Sequence, residues 1–172
     1  MKYILPTDLH NYAKYSEIIS LLEIPIKSIT NSGDTYPTDN NFYNILSANT
    51  NLSNIEEQAI DQVVTLIGSY YDTDVIFTSG STYRNRYLIK IICDIIIYEL
   101  NCRLSPNGIP EVKKERYHIA IELLKDMSKK NTNINLPLKK PVTYYDSNTN
   151  SFQESGTTMT QYSDSFITNI PW

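Results

Sequence analysis

The chain has 172 residues, 41% of them hydrophobic, which suits one domain with a real core. A formal charge of −4 excludes a broad positive field, so sequence-independent grip on nucleic-acid phosphates is not its main task, although a local basic patch is compatible with it. Lys2 is followed by Pro6, Thr7, Asp8 and His10 instead of an apolar run, so no signal peptide is expected.

In chain order, Thr7 reads as the cap of a helix from about Asp8 to Leu22, with Leu9, Tyr12, Ile18, Ile19 and Leu22 apolar. Asn11, Tyr15 and Ser16 weaken its middle, so two short helices are an alternative, ending before Pro25. From Thr30 to Thr50 the abundance of Asn, Ser, Thr, Asp and Pro around Gly33 and Pro37 predicts a long loop. Ser53-Asn54-Ile55-Glu56 has capping-box spacing, and Ile60, Val63, Val64, Ile67 and Tyr71 continue it as an amphipathic helix. Val75 to Phe77 reads as a short extended piece before the turn-forming Ser79-Gly80-Ser81.

Between Asn85 and Leu104 two apolar faces coexist, Leu88, Ile91, Ile92, Ile95 and Ile96 on one and Ile89, Cys93, Ile97 and Leu100 on the other. Such a helix belongs at the centre of a bundle. Its most apolar part, Tyr87 to Leu100, carries Lys90, Asp94 and Glu99 and falls short of the ~20 apolar residues of a membrane span, so no membrane partner is expected. Ser105 to Pro110 breaks the chain, with Pro110 placed to open the next helix, Glu111 to about Lys129. Val112, Tyr117, Ala120, Leu123, Leu124 and Met127 read as its inner face. Beyond Asn131 the composition predicts an extended arm or short strands. The reading is an all-α fold, a small bundle of four or five helices in residues 1–130, followed by an extended C-terminal arm in residues 131–172.

No catalytic apparatus is visible: there is no Gly-rich phosphate loop and no nucleophile elbow, and His10 and His118 have no helically spaced partner ligand. No enzyme activity, cofactor or metal is expected. Cys93 and Cys102 lie nine residues apart on one helix, on roughly opposite faces, and read as core residues in a reducing compartment. Asp94 stands among Ile91, Ile95, Ile97 and Tyr98, and a buried carboxylate needs a partner; the predicted one is Arg116, as a structural ion pair between helices. The loop and arm carry Tyr36, Phe42, Tyr43, Tyr144, Tyr145, Phe152, Tyr162, Phe166 and Trp172, candidate anchors for protein contacts. Packing on the chain's own domain and stacking of single-stranded nucleic acid are the alternatives for these rings.

From Tyr70 to Pro137 the order of signals resembles the Mu-like phage head-tail joining, or neck, proteins. The matching pieces are Leu66-Ile67-Gly68-Ser69-Tyr70-Tyr71-Asp72 with Ile76-Phe77, Cys93 to Leu100 with Arg103, Ile109-Pro110, Glu115 to Lys125, and Asn135-Leu136-Pro137. Leu5-Pro6-Thr7-Asp8-Leu9 is similar to the family's opening. Two features depart from the family: Tyr70 stands where an Arg is common, and the loop lacks an acidic, Gly-containing segment. The Asn, Ile and Tyr enrichment is similar to proteins of crAss-like phages. The resemblance implies a connector subunit forming a dodecameric ring in the virion, assembled in the host cytoplasm. Its implied partners are the portal protein and a tail-side or second neck protein, with possible contact to packaged DNA. The alternative function is a non-catalytic adaptor or regulatory module that binds one protein through the arm.

Overall fold

A computed structural model describes residues 3–24, 39–78, 83–104, 108–129, 134–140, 142–146 and 151–155. These residues are mostly helical, in seven helices and one two-stranded hairpin: α1 (Pro6–His10), α2 (Tyr15–Leu21), α3 (Asp39–Ala48), α4 (Thr50–Ile67), α5 (Thr73–Phe77), α6 (Arg86–Leu104), α7 (Glu111–Ser128), β1 (Val142–Asp146) and β2 (Ser151–Ser155).

The N-terminal helix is indeed two. Pro6, whose ring fixes φ in the helical range, opens α1, and Asp8 accepts a hydrogen bond from the Leu5 N–H at 2.7 Å; Thr7 therefore lies inside the first turn instead of capping it. α2 ends in a left-handed residue that is not glycine: Glu23 has φ 52°, while the Ile24 N–H bonds to the Ile19 carbonyl and the Glu23 N–H to the Ser20 carbonyl. That is the Schellman pattern of closure, with a side chain where glycine is usual.

Three further expectations are corrected. The predicted loop contains α3, because Phe42 and Leu46, four apart, are both buried and tertiary burial outweighs the turn-rich composition around them. Asn49, not Ser53, caps α4, its side-chain oxygen accepting from the Leu52 N–H at 2.9 Å. Val75 to Phe77 is helical, since Asp72 caps α5 through the Val75 N–H and Ile76 is buried.

The centre is as the apolar pattern requires. In α6 Leu88, Ile89, Leu100 and every residue from Ile91 to Ile97 are buried, and α4, α7, α1 and α2 all pack against it. From α4, Leu52, Ile55, Ala59, Val63 and Ile67 form one buried stripe at intervals of three and four. α7 contributes Ala120, Leu124 and Met127; Val112, read from the sequence as inward, is 58% exposed, because Pro110 caps the helix and the first turn projects from the core. Tyr98 and Tyr117 stack between α6 and α7, ring centroids 4.1 Å apart.

The helical unit reaches past the predicted boundary at residue 130. Leu136 is buried, the Asp72 N–H bonds to the Pro137 carbonyl at 2.9 Å, and Leu138 forms an isolated bridge with Tyr71, so the first compact unit runs to Leu138 and the second from Lys139. Within the second unit, β1 and β2 pair antiparallel with Tyr145 opposite Phe152 and Tyr144 opposite Gln153.

Candidate functional site

Asp94 is buried, as expected, but its partner is not Arg116. The carboxylate meets the Lys90 ammonium at 2.9 Å, one turn earlier on α6, and the two side chains are 2% and 46% exposed. Asp94 points along its own helix, so a same-helix cation reaches it, whereas Arg116 lies on the solvent face of α7.

A second buried carboxylate went unnoticed in the sequence because it looked like a helix-cap partner. Glu56 is 1% exposed and accepts hydrogen bonds from the Tyr3 and Ile4 backbone N–H groups, each at 2.7 Å. Arg84 holds the same stretch from another side, donating to the Tyr3 carbonyl at 2.8 Å and pairing with Asp8. Ile4 is thereby fixed in the core with no strand to satisfy its amide.

Of the proposed interface rings, Phe42 is 1% exposed and meets Tyr15 edge to face, so it is a core residue instead of a contact anchor. Tyr43 is half-buried, its hydroxyl 3.1 Å from that of Tyr15. Tyr144, Tyr145 and Phe152 occupy the hairpin, while Tyr36, Tyr162, Phe166 and Trp172 lie outside the described residues.

Segments well separated in the sequence converge. The end of α4 with Gly68 and Tyr71, the middle of α6, most of α7 and residues 135–137 belong to one packed layer, joined by the Asp72 to Pro137 hydrogen bond and the Tyr71 to Leu138 bridge. Gly68 suits its place: a Cβ there would stand 2.5 Å from the Val64 carbonyl oxygen.

Arg116 belongs to a different feature, an open groove of about 350 Å³ between the α1–α2 turn and the first turns of α7. His10, Asn11, Tyr12, Lys14, Glu17, Val112 and Lys113 complete its lining with Ala13. Glu17 is engaged by Lys113 at 2.8 Å. His10 stacks flat on Tyr15, ring centroids 3.8 Å apart.

Neither cysteine forms a disulfide; Cys93 is buried and Cys102 half-buried. Burial pushes the Cys93 thiol well above its ordinary value, and the Asp8 and Asp94 carboxylates add to the shift. Among the described residues no group of three His, Cys, Asp or Glu side chains could hold a metal ion, and no helix is long and apolar enough to cross a membrane.

Comparison with protein-family models, with curated proteins and with solved structures gave no match in any of the three.

Proposed function

We propose that the protein is a non-enzymatic virion subunit of a phage neck, a ring-forming connector between the portal and the tail. The observation that carries this reading is the convergence of the neck-like segments. Pieces separated by up to about 70 residues in sequence fall on one layer formed by α4, α6, α7 and residues 135–137. An ordered resemblance of that kind has a physical meaning when its pieces pack together, since they then preserve one set of contacts.

Two further features suit assembly. A two-stranded hairpin is marginal by itself, so in this reading β1 and β2 would be stabilised by contact with another subunit. Ring subunits meet head to tail through two unlike patches, and the division of the chain into two compact units is compatible with that arrangement. In this reading the subunit sits at the portal vertex, contacting the portal and a tail-side neck protein.

The test is to locate the protein. Purified particles should contain it in a ring at the portal vertex, seen by cryo-electron microscopy and in virion proteomics. Its presence in infected-cell extracts together with consistent absence from particles would reject the reading in favour of an adaptor or regulator acting through the arm.

A further inference from the structure

The groove between the α1–α2 turn and α7 has a donor-acceptor balance that points to a ligand. Lys14, Lys113 and Arg116 bring three cationic groups to it, against the single carboxylate of Glu17, which Lys113 already occupies. The Lys14 and Arg116 side chains make no hydrogen bond or ion pair with any described residue, and both residues are exposed. The remaining polar side chains, Tyr12, Asn11 and His10, can each donate as well as accept a hydrogen bond. Other nearby charge is already neutralised, since Asp94, whose field reaches Tyr12, is paired with Lys90, and Glu111 is held by Lys114 at 3.2 Å.

In a chain of net charge −4, two cations without a side-chain partner among the described residues, on one concave surface, run against the overall field and create a local positive potential. The complementary ligand is one that carries concentrated negative charge and accepts hydrogen bonds from the cations. A phosphate meets both conditions: a guanidinium binds two of its oxygens side by side, and an ammonium adds a point charge. The groove's volume lies at the lower end of the range for small-molecule sites, large enough for a phosphate with an attached sugar or a second phosphate. Val112, 58% exposed at the rim, offers an apolar surface for the uncharged part.

We infer that this groove binds a phosphate-bearing ligand of about nucleotide size, held by Arg116 and Lys14 with Lys113 and Tyr12 at its walls. The groove shares α7 with the layer on which the neck reading rests, but phosphate binding and location in the virion are read by different experiments, so either proposal survives the failure of the other.

Binding to the full chain would be measured by calorimetry and by side-chain NMR shifts at low salt, with pyrophosphate, adenosine monophosphate, a short single-stranded oligodeoxynucleotide and a hexaglutamate peptide as probes. Pyrophosphate and the monophosphate should bind and shift Arg116 and Lys14, and Arg116→Ala should weaken them about tenfold, the loss of roughly one charge-assisted hydrogen bond. Arg116→Lys should recover part of that loss. Both positions are exposed, so the variants keep the wild-type melting temperature. An oligonucleotide tighter per phosphate than the monophosphate assigns the phosphate to a nucleic-acid strand; equal or weaker binding assigns it to a free ligand. Hexaglutamate binding as tightly as pyrophosphate, phosphate binding unchanged in the Lys14→Ala, Arg116→Ala double variant, or no binding to any phosphate probe overturns the inference.

Discussion

Replacing Glu56 by Ala tests the central structural finding, that a buried carboxylate holds Tyr3 and Ile4 in place. The substitution removes the acceptor for the Tyr3 and Ile4 N–H groups, both at 2.7 Å and both buried. A buried donor left without a partner costs about 1–3 kcal/mol, so the pair should cost about 2–6 kcal/mol in all. Peeling the segment away to rehydrate its amides is no cheap escape, since it exposes Ile4, fully buried now, at about 2 kcal/mol. Urea unfolding should show an unchanged slope and a midpoint lowered by that free energy divided by the slope, and hydrogen exchange should show the Tyr3 and Ile4 amides losing protection ahead of α6. Glu56→Gln keeps one acceptor oxygen and should lose distinctly less. A side chain serving merely as a surface capping partner on α4 would cost no more than about 1 kcal/mol on removal. An Ala variant within about 0.5 kcal/mol of wild type, with the Ile4 amide still protected, would refute the reasoning.

Two other outcomes follow from the interior of α6. Lys90→Ala should destabilise the protein by about 3 kcal/mol because it strands the buried Asp94 carboxylate, whereas Asp94→Asn removes the charge that needs compensation and should cost less; equal losses in paired denaturation curves would contradict the ion-pair geometry. The Cys93 thiol, raised by burial, stays protonated in the folded state above the pH at which an unfolded thiol ionises, so native protein at pH 8 to 9 should react with a thiol reagent at Cys102 and leave Cys93 intact until urea is added; rapid native labelling of Cys93, read by mass spectrometry, would show that α6 opens. The sign of the linkage follows: because the folded state holds this proton more tightly, Cys93 draws down stability as pH rises through the ordinary thiol range and beyond.

The helices legible in the sequence were those whose apolar pattern is long enough to speak without neighbours. Tyr87 to Leu100, with isoleucine on nearly every face, had to be a central helix, and burial of every residue from Ile91 to Ile97 agrees with that. The helix after Ser53, read from Ile60, Val63, Val64, Ile67 and Tyr71, and the amphipathic run after Pro110 were equally self-contained, although the buried stripe of the first also takes in Leu52, Ile55 and Ala59. Helices α3 and α5 escaped because they are short or polar, and a helix of one to three turns depends on burial of one or two residues, here Phe42 with Leu46 and Ile76.

Local spacing determined where the core helices run; partnership was left to the tertiary structure. Glu56 had capping-box spacing, yet packing draws its carboxylate to amides more than 50 residues away. Asp94 announced a need for a cation, but side-chain direction on α6 selected Lys90 over Arg116, and Arg116 was freed to face a groove that no sequence motif marks. A backbone pattern repeats every few residues and can be read along the chain, whereas charge pairing depends on which surfaces meet in space, and that is settled when the helices pack.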